Sequence, residues 1–401
     1  MSYDVTAVRA HFPALLEGAA HFDGPGGSQV PDTVADAVAG VLRAAVANRG
    51  TVTTAERRAD AIVLEARLAA ADLVGGEPGG VVFGRSMTQV TYDLARALSR
   101  QWSPGDEVVV TRLDHDGNIR PWVHAARDAG ATVRWADFDP ASGVLDVGDV
   151  TAVLSPRTRL VAVTAASNLL GTRPDVAAIA AAAHSHGALV YVDGVHLTPH
   201  ALVDRAALGA DFYACSPYKF LGPHLGFVVA APELLTTLEA DRLLPMTDAV
   251  PERFELGTLP YELLAGCTAA IDFLAGLVPG TGPRRERLAA SFAALAEHED
   301  ALRERLEDGL AELDRVVVHG DPKRSRTPTT LFSVDGLPPR AVHEALAAHR
   351  VNAPAGSFYA LEAARRMGLG DTGAVRAGIA PYTSGEDVDR LLGALATVIR
   401  S

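Results

Sequence analysis

The sequence predicts an α/β protein: a larger domain with a mainly parallel sheet and a smaller α+β domain. Three observations point there. Between Val81 and Ala230, short apolar runs alternate with helical-period segments, the pattern of βαβ units with helices on both faces of a sheet. After PERFELGTLPYE (251–262) the composition changes to long helices with a few short strands. At 401 residues the chain exceeds one compact core. The expected division is 20–262 for the large domain, with 1–19 and 263–401 forming the small one and its helical linker.

The elements follow in order. Residues 1–20 read as a short amphipathic lead, with Val8, Phe12, Leu15 and Leu16 near helical spacing. HFDGPGGSQVP is a tight loop whose backbone can approach a ligand closely. Helices are expected from Asp32 to about Ala47 and from Ala55 to about Leu73, where GGEPGG breaks the second. Strands are expected at Val81–Phe83, Glu107–Thr111, Thr132–Trp135, Leu160–Thr164, Ala188–Val192 and Phe227–Ala230. Helices run to about Leu98, over Pro121–Asp128 and over Asp175–His186. A loop and a helix are expected between Asp193 and Lys219. In the small domain, helices are expected at Leu263–Leu277, Arg285–Leu313, Pro339–His349 and Glu386–Ile399. Its strands are Val316–His319, Thr329–Val334 and Val375–Ala380.

Composition narrows the function. The net charge of −13, with no run of Lys or Arg, argues against nucleic acid or an anionic membrane as partner. Two cysteines, Cys215 and Cys267, cannot build a disulfide framework. The N-terminal segment has acidic and polar residues where a signal peptide needs basic and then apolar ones. No apolar stretch approaches the length of a membrane span, so the cytoplasm is the expected location.

In such sheets the ligand lies outside the carboxyl ends of the strands. The polar loops GRSMT, LDHDGN, ASNLLGT and DGVHL sit there. The central stretch is VYVDGVHLTPHALVDRAALGADFYACSPYKFLGPHLG (190–226). A buried strand ends on Asp193, and the chain returns to Lys219 beside Ser216 and a Gly-Pro turn. An amine and an acid at the ends of apolar segments suit pyridoxal 5′-phosphate, which needs an amine to hold it and an acid to keep its ring nitrogen protonated. A lysine in an apolar pocket has a lowered pKa and becomes a nucleophile for an aldehyde. Taken singly, Lys219 also reads as a surface lysine, Asp193 as a helix cap, and His115 and Asn168 as loop residues. GRSMT opens a helix whose N-terminus can receive a phosphate. Arg376, in the apolar strand VRAGIA, wants a partner: a substrate carboxylate or an internal acid.

Together, the strings HFDGPGGSQVP, FGRSMT, LDHDGNIRPW, ASNLLGT, VDGVHL, CSPYKFLGP, ELGTLPYE and VRAGIAPY are more specific than any one alone. Across essentially the whole chain the sequence resembles the class V aminotransferase family of fold-type I pyridoxal phosphate enzymes, closest to its cysteine desulfurase-like branch. The resemblance implies that Lys219 binds the cofactor covalently and that Asp193 partners the pyridinium nitrogen. It implies that His115 stacks on the ring and Asn168 bonds near its phenolic oxygen. Ser86, Met87 and Thr88 would supply the phosphate cup, with Ser216 adding a hydroxyl. Thr258 would reach the phosphate of a neighbouring subunit, which implies a homodimer with shared sites. Arg376 would clamp the carboxylate of an amino acid substrate.

Three departures from that pattern stand out. His196 replaces the glutamine found three residues after the aspartate; it can donate to the phenolic oxygen or act as an extra acid or base. Tyr218 replaces the histidine that precedes the lysine in many relatives. The segment 351–378, where desulfurases carry a persulfide-forming cysteine, has none. Cys215 and Cys267 read as small buried filler. The expected activity is therefore a C–S lyase or desulfurase-like β-elimination through a Cα carbanion. Aminotransfer, epimerisation and a non-catalytic role in the same fold are the alternatives. The side-chain pocket is expected from the loops 48–57, 245–254 and 355–359.

Overall fold

The computed structural model describes residues 3–321 and 323–400. The chain opens with a short helix, α1 (Val5–Arg9), a tight turn over Pro13–Glu17 and a two-residue strand, β1 (Ala20–His21). The lead over 1–20 is thus helical only in part, and its first two residues lie outside the described ones. Helices α2 (Asp32–Arg43) and α3 (Thr54–Val74) follow. α3 starts where the Thr53 hydroxyl accepts from the Glu56 amide and the Glu56 carboxylate accepts from the Thr53 amide. It stops at Gly75, which takes φ 67°.

The large domain then alternates: β2 (Val81–Gly84), α4 (Met87–Ser99), β3 (Glu107–Thr111), α5 (Arg120–Ala129) and β4 (Thr132–Ala136). It continues with α6 (Val147–Thr151), β5 (Thr158–Thr164), α7 (Val176–Ser185), β6 (Leu189–Asp193), β7 (Phe212–Cys215) and β8 (Gly226–Ala230). These strands form one sheet in the order β2-β8-β7-β6-β5-β3-β4. β8 runs antiparallel to both neighbours; the pairings from β7 to β4 are parallel. Val109, Val161, Val163, Val190 and Val192 pack into one core layer, and Val108, Val110, Leu160, Ala162 and Tyr191 into the other. A strand buried on both faces feeds alternate side chains to two layers, which is why these strands read as unbroken apolar runs.

One expectation is corrected here. No α-helix lies between Asp193 and Lys219 among the described residues; the segment holds separate turns, β7 and a single 3-10 turn at Pro217–Lys219. Thr198 closes a turn onto the Gly194 carbonyl, but Pro199 has no N–H to carry a ladder onward. β7 escapes sequence reading because four apolar residues show no diagnostic period.

After α8 (Pro232–Thr236), the linker helices α9 (Tyr261–Ala275) and α10 (Arg284–Ala311) lead into the small domain. It contains β9 (Val316–His319), β10 (Thr329–Val334), α11 (Pro339–Ala348), β11 (Val351–Asn352), β12 (Ala355–Gly356), α12 (Leu361–Arg366), β13 (Ala374–Gly378) and α13 (Gly385–Arg400). Its sheet is antiparallel, in the order β12-β13-β10-β9. β1 pairs with β11, so the start of the chain is tied to this domain. Phe332, Val342, Leu346, Val375, Val388 and Leu391 form its core with Leu306 and Leu310 of α10. Among the described residues no helix is long and apolar enough to cross a membrane.

Candidate active site

Parallel strands deliver their following loops to one edge of the sheet, and the candidate residues gather there. Asp193 ends β6, in register with Thr164 of β5 and Ala214 of β7. His115 follows β3, Asn168 follows β5, and Ser216 and Lys219 lie between β7 and β8. They surround two adjoining cavities. The inner one, about 40 Å³, is lined by residues that include Met87, Thr88, Asp193, His196 and Ser216. The outer one, about 510 Å³, reaches Arg376, Tyr92, His124, Phe358 and Tyr359. Thr88, His115, Asn168, Tyr218 and Lys219 line both.

Burial sets the charges. The Lys219 amine donates to the Pro25 carbonyl at 2.8 Å. Desolvation, aided by the nearby Arg376 cation and opposed by Asp193, lowers its pKa to about 8. Asp193 is buried and accepts from the Val195 amide at 2.9 Å. Desolvation raises its pKa to about 6, against the pull of Lys219. His115 accepts from the Gly117 amide through Nδ1 at 2.9 Å, and desolvation with two nearby cations lowers its pKa to about 3. The imidazole is therefore neutral, with its proton on Nε2. Behind it, buried Asp114 accepts from Nδ2 of the Asn118 side chain at 2.7 Å and from the Thr111 hydroxyl. Trp122 Nε1 donates to Asn118 at 3.0 Å, so the histidine loop rests on a closed network. Desolvation, with Asp193 adding to it, pushes the Asp114 carboxyl up to about 8.

Three buried polar atoms around the cavities lack partners among the described residues: Asn168 Oδ1, His196 Nδ1 and Arg376 Nε. Asn168 donates through Nδ2 to the Phe358 carbonyl at 2.8 Å. His196 Nε2 lies 3.0 Å from the Thr327 hydroxyl and 3.1 Å from that of Thr329. Arg376 donates from Nη1 to the Asn168 carbonyl at 2.7 Å, and its guanidinium carbon lies 3.8 Å from the centroid of the Phe358 ring. Desolvation lowers its pKa to about 9, against the pull of Asp23. Of the two partners expected for Arg376, the structure shows no ion pair to an internal acid within 4 Å among the described residues.

A loop of the small domain lines the outer cavity. Phe358 and Tyr359 both take positive φ, 53° and 58°, a costly conformation for bulky residues. It is held by Asn168 on the Phe358 carbonyl, and by the Asp116 amide donating to the Tyr359 carbonyl at 2.7 Å. Just beyond, Glu362 pairs with Arg112 at 3.0 Å and Arg120 at 2.7 Å, tying α12 to the large domain.

Ser86, expected in the phosphate cup, does not line the cavities, and neither does Thr258, which was expected to reach the phosphate of a neighbouring subunit. Ser86 is the cap of α4, its hydroxyl accepting from the Gln89 amide at 3.2 Å. Thr258 is exposed and lines a separate depression with Arg85, Gln89 and His224. Of the three loops expected to form the side-chain pocket, partly from a second subunit, 355–359 lines the outer cavity of its own chain. Sequence reading missed Tyr92, Asp116, Arg120 and His124. Part of the signal was present as i, i+4 spacing: Thr88 with Tyr92 on α4, and Arg120 with His124 on α5, fall on single helix faces, while Asp116 lies in the turn before α5.

Known proteins share this architecture. The family model described as Aminotransferase class-V matches residues 20–391. An uncharacterised protein of Mycobacterium tuberculosis, MT3887, is 36% identical over 401 residues, covering 99% of this chain and 100% of its own. A probable cysteine desulfurase of Pseudomonas aeruginosa is 31% identical over 405 residues, covering 96% of each chain. The apo structure of a cysteine desulfurase from Thermococcus onnurineus superposes with a TM-score of 0.89 at 27% identity, covering 100% of this chain and 99% of its own.

Proposed function

Because this chain belongs to the class V aminotransferase family, we propose that it is a pyridoxal 5′-phosphate enzyme that breaks the Cβ–S bond of a sulfur-bearing amino acid by β-elimination. Relatives named as cysteine desulfurases support the sulfur chemistry. The observation that carries the reading is the inner cavity, where an amine of lowered pKa and a buried carboxyl stand beside polar atoms that lack partners. A buried polar atom left unpaired costs ~1–3 kcal/mol. Such a cavity is built for a polar ligand, and the donor set fits this cofactor. When bound, the cofactor supplies a sink for the electron pair left at Cα.

The chain's residues then divide the work. Lys219 would hold the cofactor, and its amine would remove the Cα proton as general base. Asp193 would keep the ring nitrogen protonated, and neutral His115 would lie against the ring. Met87 and Thr88, at the positive end of α4, would hold the phosphate with the Ser216 hydroxyl. Arg376 holds the substrate carboxylate through the N–H groups its protein partners leave free. The Cα–H bond breaks to Lys219, and the Cβ–S bond breaks with its electron pair on sulfur, which takes a proton and leaves. The residual enamine adds water and ends as pyruvate and ammonia.

Cys215 on β7 and Cys267 on α9 are buried in one hydrophobic core, and desolvation raises both thiols, that of Cys267 to about 12. Neither is available to carry a persulfide, so in this reading sulfur departs with the product. A second copy completes the site: Thr258 is exposed, as are Leu42, Leu64, Leu68 and Leu256.

The test is to incubate the reconstituted protein with cysteine, S-substituted cysteines and other amino acids. Sulfide or thiol, pyruvate, ammonia and the pyridoxamine form of the cofactor are followed together. Thiol and pyruvate should appear in equal amounts, Lys219→Ala should abolish both, and Cys215→Ala and Cys267→Ala should leave turnover intact. Accumulation of the pyridoxamine form without sulfur release would replace lyase by aminotransferase.

A further inference from the structure

His196 is buried in the turns that follow β6 and lines the inner cavity beside Asp193 and Lys219. Its Nε2 is shared by two hydroxyls of the small domain, Thr327 at 3.0 Å and Thr329 at 3.1 Å. Nδ1 is the ring nitrogen left without a protein partner. Two tautomers are open to a neutral imidazole, and counting partners decides between them. With the proton on Nε2, the Thr329 hydroxyl has no acceptor among the described residues, because Nε2 is its one partner there. With the proton on Nδ1, Thr329 donates to Nε2 and Thr327 donates to the Gly171 carbonyl, 3.4 Å away. Both buried hydroxyls are then satisfied, and Nδ1–H is left for a group in the cavity.

We infer that Thr329 acts as a positioning residue: it fixes His196 as the Nδ1–H tautomer, and this histidine donates to the ring oxygen of the cofactor. The inference rests on the pyridoxal phosphate reading above. The imidazole carries a single proton because its surroundings oppose a second. Burial comes first, then the basic groups facing it, whose charge would oppose a second proton: His200 on its own segment, Arg376 on β13 and Lys219 before β8. Asp193 lines the same cavity, and Glu299 of α10 stands behind His200, 3.0 Å from its Nδ1. Thr329 starts β10, whose Leu331 is in register with Arg376 of β13. One strand pair of the small domain therefore governs both the carboxylate clamp and the proton aimed at the cofactor.

The consequence is readable in absorbance. A donor to the ring oxygen draws negative charge from it and weakens its hold on the proton of the adjacent lysine–cofactor nitrogen. Losing the donor keeps that proton on, so the pH midpoint of the visible band rises. In reconstituted holoenzyme, His196→Leu should raise the midpoint by about one pH unit, as expected for one lost hydrogen bond to a charged acceptor. His196→Gln, which restores an N–H, should return it towards the parent value. Thr329→Val should move it in the same direction as His196→Leu, and Thr329→Ser, which keeps the hydroxyl, should not move it. Cofactor stoichiometry and circular dichroism establish that each variant is folded and loaded. A loaded His196→Leu with the parent midpoint overturns the donation; a shift in His196→Leu but none in Thr329→Val overturns the role of Thr329. A parent protein that takes up no cofactor sinks the proposed function and this inference together, whereas an immovable midpoint in loaded protein sinks only the inference.

Discussion

Arg376 is a cation held where a cation is costly, with an aromatic ring beneath it, one backbone carbonyl as partner and Nε left unpaired. Such a group is stabilised by an incoming carboxylate. Arg376→Ala should therefore lower kcat/KM by about 10- to 100-fold, mainly through KM, the worth of a charge-assisted hydrogen bond of ~1.5–3 kcal/mol. Arg376→Lys should not restore it, because a point charge cannot replace the planar fork. Steady-state kinetics with the amino acid substrate check both. Lys219 and Asp193 set the pH response. Lysine attacks an aldehyde as the neutral amine, so the rate of cofactor capture by the apoprotein should climb as pH rises through about 8. Asp193 must be ionised to hold the ring nitrogen protonated, so cofactor affinity should fall as pH is lowered through about 6. Rapid-mixing absorbance reads the first and equilibrium titration the second. A capture rate flat from pH 6 to 10 would contradict the lowered lysine.

At the scale of elements, the site depends on close backbone approach between β8 and α4. A Cβ on Gly226 would lie 1.9 Å from the Met87 amide nitrogen and 2.0 Å from the Ser86 carbonyl carbon. Gly226→Ala must push the N-terminus of α4 away from the sheet, and that terminus is where Met87 and Thr88 face the inner cavity. Overpacking of this kind costs ~1–3 kcal/mol, so cofactor affinity should fall by about 5- to 100-fold. Fluorescence or absorbance titration of the apoprotein would show it. Most elements were legible because their apolar period is long enough to count, as in α3, α10, β3 and β5. β7 was not, because four residues carry too little pattern, and the turns before it had the composition of a helix without the N–H that Pro199 lacks. The loop at Phe358 and Tyr359 was expected at the side-chain pocket, but its strain was not legible; its positive φ values are maintained by bonds to Asn168 and Asp116, far away in sequence.

At the scale of the molecule, the two domains meet across the site and each supplies part of it: the large domain Lys219, Asp193 and His115, the small one Arg376, Phe358 and the threonines on His196. The exposed leucines of α2 and α3 and the exposed Thr258 lead to a further expectation: the protein should sediment at twice its 41.9 kDa mass. A charge at the exposed leucines, such as Leu64→Arg with Leu68→Arg, should shift it toward the monomer and lower activity together; an unchanged mass with full activity would remove that face from the interface. The sequence by itself determined the α/β architecture, the strand-end loops and the residues Lys219, Asp193, His115, Asn168 and Arg376, because each is written next to the apolar segment that positions it. Only the tertiary structure decided how those residues are completed: that Ser86 caps a helix, that Tyr92 and His124 reach the outer cavity, that Asn168 spends its amide on Phe358, and that His196 takes its partners from the small domain. Hydrogen-bond partners more than a hundred residues apart are chosen by packing, and local periodicity does not encode packing between domains.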